Sequence, residues 1–131
     1  MPVKILAVGN RMRSDDAVAL RLADEISEFK LIKAEQTPEN FVSEDDEIVF
    51  IDAADFGAAP GEVRMMPSDF IESMHISTHN VSEILLKTAK KATVIGIQPA
   101  TTDFGEELSP ELEEKIPQIK EKVIGLLRTL F

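Results

Sequence analysis

Three features of this 131-residue chain predict a three-layer α/β/α sandwich around a mostly parallel, mixed five-stranded sheet. Short aliphatic and β-branched runs alternate with segments of helical periodicity, in the order β-α-β-β-β-α-β-α. Turn residues close several of the runs, as Gly9-Asn10 closes Val3 to Val8 and Pro99 closes Thr93 to Ile97. The length suits one domain over residues 1–131, and 44% hydrophobic with 29% charged residues is the balance of a folded chain.

Residues 3–8 read as the first strand. Ser14 is placed to cap a helix whose acidic first turn suits the helix dipole, and Val18, Leu22, Ile26 and Phe29 carry its apolar face over residues 15–28. Residues 30–35 give a second strand, and Thr37-Pro38-Glu39-Asn40 a loop or a single helical turn. Glu47 to Ile51 is the clearest strand and ends on Asp52. After the turn Ala59-Pro60-Gly61, Glu62 to Met66 is expected to return as a local antiparallel partner. Thr78 or Ser77 is placed to cap a helix running to about Lys91, with Val81, Ile84, Leu85 and Ala89 on its apolar side. Thr93 to Ile97 is the last strand. Pro110 opens a final helix ending near Leu130, in which Pro117 predicts a kink or a break.

Composition removes several function classes. The absence of cysteine excludes a disulfide framework, a thiolate metal site and a cysteine nucleophile. A formal net charge of -10 argues against nucleic acid as partner, because such binding depends on neutralising phosphates. No segment approaches the roughly 18 apolar residues of a membrane helix, and the first apolar run is too short for a signal peptide. A cytoplasmic protein without membrane insertion is expected. No His-Glu-x-x-His helix, Gly-x-Ser-x-Gly elbow or phosphate-binding glycine loop is present.

Ligands of open α/β sheets collect beyond the carboxyl ends of the strands. Asp15 and Asp16 fall there, in the loop after the first strand, as do Asp52 and Asp55 at the end of the third. Ser77-Thr78-His79-Asn80 opens a helix nearby. Singly, each has an ordinary explanation: an acidic residue serving the helix dipole, or a histidine that caps or packs. Asp52 is the hardest to explain that way, since a carboxylate ending a buried run needs a cation or donors. Together, Asp16, Asp52 and His79 make a hard-to-borderline donor set for a divalent transition metal, with coordination positions left open.

Four stretches in order resemble the hydrogenase maturation endopeptidases, which trim the large subunit of nickel-iron hydrogenases. They are Ala7-Val8-Gly9-Asn10-Arg11-Met12-Arg13-Ser14-Asp15-Asp16; Ile51-Asp52-Ala53-Ala54-Asp55-Phe56-Gly57 with Pro60-Gly61-Glu62-Val63; Ser77-Thr78-His79-Asn80; and Gly96-Ile97-Gln98-Pro99. The Thr-His-Asn and Ile-Gln-Pro pieces look most like the subgroup serving hydrogenases of the formate hydrogenlyase type. The resemblance implies Asp16, Asp52 and His79 as the metal-contacting groups, Asp16 and Asp52 as the catalytic carboxylates, and Asn10, Glu35 and Thr78 as substrate contacts. It further implies that nickel arrives with the precursor large subunit, that the protease holds no tightly bound cofactor of its own, and that it is of aspartic or metal-assisted type; a monomer is expected. The chain departs from the family pattern at Ala17-Val18-Ala19, where glycine is usual, and in the glycine-free loop Ala34 to Asn40, where Glu35 takes the acidic place. Two rival readings remain: a binding module that kept the fold without the activity, and a phosphoryl-accepting receiver domain using Asp52.

Overall fold

The computed structural model describes residues 3–74, 76–78 and 80–131. Its strands are β1 (Val3–Val8), β2 (Leu31–Glu35), β3 (Glu47–Asp55), β4 (Val63–Pro67), β5 (Ser77–Thr78) and β6 (Lys91–Ile97). Its helices are α1 (Val18–Glu25), α2 (Ser68–Met74), α3 (Glu83–Thr88) and α4 (Pro110–Leu130), with single 3-10 turns at Ser14–Ala17 and Pro38–Phe41.

The main sheet has the order β2-β1-β3-β6-β4. The β1-β2, β1-β3 and β3-β6 pairs are parallel, and only the edge strand β4 runs antiparallel, against β6. The expected mixed, mostly parallel five-stranded sheet is therefore present. The two-residue β5 lies off this path and pairs antiparallel with Ala54 and Asp55 at the end of β3.

Period-two alternation along the strands splits the core into two layers. Ile5, Ala7, Val49, Ile51, Ala53, Ile95 and Ile97 face Val18 and Leu22 of α1 and Leu112, Ile116, Ile119, Val123 and Leu127 of α4. Leu6, Val8, Ile48, Phe50, Ala54 and Val94 face Ile71 of α2 and Leu85 and Leu86 of α3. The chain passes from β1 to β2 on one side, then to β3 on the other. That reversal opens a crevice beyond the ends of β1 and β3, where open α/β sheets hold ligands.

The structure differs from the sequence expectations in several places. β4 does not pair with β3; β6 is inserted between them, pairing parallel with β3 and antiparallel with β4, so that β3 is a central strand with helices over both faces. β3 extends to Asp55, so Asp52 lies inside the strand and not at its end. Residues 15–28 are a 3-10 turn followed by an α-helix that stops at Glu25, and Ser14 makes no side-chain cap. Helix α3 is only six residues long and is capped by Ser82, whose hydroxyl accepts from the Leu85 N–H, while Ser77 and Thr78 are in a strand. Helix α4 runs unbroken through Pro117. Pro117 and Glu113 are both exposed, so the carbonyl freed four residues before the proline faces water.

Candidate functional site

Five polar residues are buried among those described: Asp15, Asp16, Asp52, Gln98 and Ser109. All five gather at the carboxyl ends of β1, β3 and β6. Burying charge there requires partners for each group, and those partners define the site.

The 3-10 turn after β1 carries two acidic residues that point to different places. Asp15 accepts four hydrogen bonds: from the Ala100 and Thr101 N–H groups at 2.9 and 3.1 Å, and from the Ser109 N–H and hydroxyl at 2.7 and 2.8 Å. It therefore ties the segment after β6, and the start of α4, to the end of β1. Asp16 turns the other way. Its Oδ2 accepts from the Asn10 N–H at 3.0 Å, and both its oxygens accept from the side-chain amide of Asn80, at 3.0 and 3.1 Å. Gly9 makes this geometry possible, because a Cβ at that position would lie 2.2 Å from the Asp16 carbonyl oxygen.

Asp52 is fully buried on the face of β3 that also carries Phe50 and Ala54. The segment between β5 and α3 lies over that face, and from it Asn80 reaches in. The Asn80 N–H donates to Asp52 Oδ2 at 2.9 Å, and its Nδ2 donates to Asp52 Oδ1 at 3.0 Å. A single amide thus bridges Asp16 and Asp52. Burial pushes the Asp52 carboxyl up to about 8, and the adjacent Asp16 charge adds to the rise; the hydrogen bonds from Asn80 act against it.

The remaining sequence-derived residues take different positions. His79 lies outside the described residues, next in sequence to Asn80. The Thr78 hydroxyl donates to the Val81 carbonyl at 2.6 Å. Asn10 accepts from the Met12 N–H through its side chain at 2.9 Å, which shapes the loop leading to Asp16. Glu35 ends β2 in a left-handed conformation, φ 53°. Its carbonyl accepts from the Gly9 N–H, while its exposed carboxylate accepts from Arg11 Nε at 2.6 Å. Asp55 turns away from Asp52, accepting from the Gly57 N–H and from Gln98. Gln98 in turn accepts from the Phe56 and Ala58 N–H groups and so pins the loop after β3.

Two adjoining clefts open at this rim. One, of about 230 Å³, is lined by Asn10, Arg13, Asp16, Gln36, Asn80 and Thr102. The other, of about 310 Å³, is lined by Gln36, Thr78, Asn80, Val81 and Ser82. Glu35 lines neither; Gln36 lines both. Larger clefts lie beside Lys90 and Lys91 and beside Arg21, but the buried carboxylates of the rim do not converge on them. Sequence reasoning singled out neither Asn80 nor Gln36. The available signal for Asn80 was its place beside His79, an amide donor within reach of two carboxylates that needed one.

Comparison with known proteins places this chain in a family. The family model for "Hydrogenase maturation protease" matches residues 34–126. The chain is 26% identical to the hydrogenase 3 maturation protease of Escherichia coli K12, over 92% of this chain and 88% of that protein. It is 31% identical to a protein of Methanocaldococcus jannaschii named as a hydrogenase maturation protease, over 76% of this chain and 73% of that one. Among solved structures, the hydrogenase maturating endopeptidase HybD from E. coli superposes with a TM-score of 0.73 at 18% identity, covering 98% of this chain and 93% of its own, a likeness of fold. Sequence match and fold agree, and the chain belongs to the hydrogenase maturation protease family.

Proposed function

We propose that this protein is an endopeptidase that recognises nickel in the precursor large subunit of a nickel-iron hydrogenase and removes the subunit's C-terminal extension. The observation that carries this reading is the pair of buried carboxylates, Asp16 and Asp52, brought onto one amide at the sheet's switch point. Their donor chemistry suits a divalent ion of borderline hardness, and His79 would add an imidazole. Three protein ligands leave the shell open, so nickel enters as part of the substrate, with the precursor's own ligands completing it. No tightly held cofactor is then required.

Fixing the metal fixes the peptide chain near it. Nickel held by Asp16, Asp52 and His79 would supply Lewis-acid chemistry at a nearby carbonyl, and Asp16 and Asp52 are the candidate general bases for attacking water. Asp52 must first lose the proton that burial favours, so metal recognition and ionisation of Asp52 are linked. In this reading the protease works as a cytoplasmic monomer. The receiver alternative is disfavoured because β6 ends at Ile97 and runs on into Gln98-Pro99, with no lysine where a receiver domain needs one.

Incubation with a nickel-loaded precursor of the formate hydrogenlyase type, followed by mass spectrometry of the C-terminus, tests the proposal. Loss of the extension is expected with nickel-loaded precursor and not with the nickel-free form. Intact nickel-loaded precursor after incubation would refute it and favour the binding module.

A further inference from the structure

We infer that Asn80 is a placeholder: its side-chain amide occupies the place between Asp16 and Asp52 that nickel takes, and it must swing aside for the ion to enter. The inference rests on the reading of these two carboxylates as nickel ligands.

The geometry is specific. One NH2 group stands within hydrogen-bond distance of three carboxylate oxygens, Asp16 Oδ1 and Oδ2 at 3.0 and 3.1 Å and Asp52 Oδ1 at 3.0 Å. Amide hydrogens carry partial positive charge, so the group neutralises in part what a cation would neutralise fully. The amide nitrogen stands between the three oxygens, where an ion bridging the two carboxylates would have to sit, so amide and ion compete for the same space.

Two further facts make an exchange feasible. The Asn80 main chain is held separately, through its own N–H to Asp52 Oδ2 at 2.9 Å, so the side chain can rotate without undocking the segment. Asn80 also forms the wall shared by the two rim clefts, and the one lined by Thr78, Val81 and Ser82 offers about 310 Å³ beside it. The displaced amide has polar company there in Ser82 and Gln36.

The consequence is selectivity by competition. A free divalent ion brings no ligands beyond water and must displace the amide at its own expense. Nickel already fixed in a precursor brings the protein-protein contacts of the whole subunit, and these offset the displacement. Asn80 therefore acts as a competitor that keeps the resting site from filling with stray metal.

A structural role and a placeholder role differ in sign. If Asn80 only orients the carboxylates, removing it weakens metal binding; if it competes with metal, removing it strengthens binding. Calorimetric titration of free Ni²⁺ into wild type, Asn80→Ala and Asn80→Ser, with circular dichroism to verify folding, decides between them. The expected result is at least tenfold tighter binding in Asn80→Ala, the same direction in Asn80→Ser (which retains a small polar group and guards against misfolding of the alanine variant), and loss of the gain when Asp16→Asn is added. Equal or weaker binding in the folded variants overturns the inference. If the precursor is still trimmed in a nickel-dependent way, only the Asn80 inference falls. If no variant binds nickel and trimming ignores nickel, the nickel reading falls with it.

Discussion

A Cβ at position 9 would lie 2.2 Å from the carbonyl oxygen of Asp16, so Gly9 and Asp16 are in main-chain contact. The end of β1 and the 3-10 turn can approach this closely only without a side chain at Gly9. Gly9→Ala must push the turn outward and break the Asn10 N–H bond to Asp16. The expected cost is about 1–3 kcal/mol of stability, as for other overpacked sites, together with loss of processing. Urea unfolding combined with the precursor assay checks this, and wild-type stability with wild-type trimming would mean that the turn has slack.

Asp15 and Asp16 are neighbours with opposite duties. Asp15 collects its four hydrogen bonds from residues 100, 101 and 109 and has no part in the Asn80 bridge. Asp15→Ala leaves those buried donors without an acceptor and should cost roughly 3 kcal/mol or more. Asp16→Asn should leave the fold near its normal stability while abolishing trimming. Similar unfolding midpoints for Asp15→Ala and wild type would contradict the assignment of Asp15 as a structural tie.

The contrast marks what the sequence could and could not reveal. Strands β1, β3 and β6 were legible because they are aliphatic runs with turns behind them, and the order of elements then implied the rim. Two adjacent aspartates, however, are indistinguishable in sequence; only the 3-10 turn, which aims them apart, assigns their roles. Helix α2 passed unnoticed because its seven residues are too short to establish a helical period. Asn80 was hidden for another reason. An amide in a polar loop has no signature until the fold brings two carboxylates to it.

Asp52 gives the protein a pH signature. Its carboxyl ionises near 3.8 when unperturbed but holds its proton to about 8 in the folded chain. Between those values the native state binds one more proton than the unfolded state, so stability falls as pH rises, by up to about 1.4 kcal/mol per pH unit. The contribution is complete below the lower value and is lost through the upper one. Asp52→Asn removes the titration and should flatten the slope between pH 5 and 8 in urea-unfolding measurements. Parallel slopes for the two proteins would show that Asp52 is ionised throughout this range.

Glu35 tests the role of the glycine-free loop Ala34 to Asn40. Glycine tolerates a φ of 53° at this position without steric penalty, and the glutamate adopts it nonetheless. For a residue with a Cβ that conformation costs roughly 1–2 kcal/mol. Glu35→Gly relieves it, loses an exposed ion pair to Arg11 worth about 0–1 kcal/mol, and gives the unfolded chain more freedom. The net change should be within about 1 kcal/mol of zero, so any loss of activity reports on the carboxylate itself. If Glu35 contacts the precursor, Glu35→Gly and Glu35→Gln should both raise KM with kcat little changed. Normal KM in both variants would remove Glu35 from the substrate path and leave Gln36, which lines both clefts, as the residue through which this loop meets the precursor.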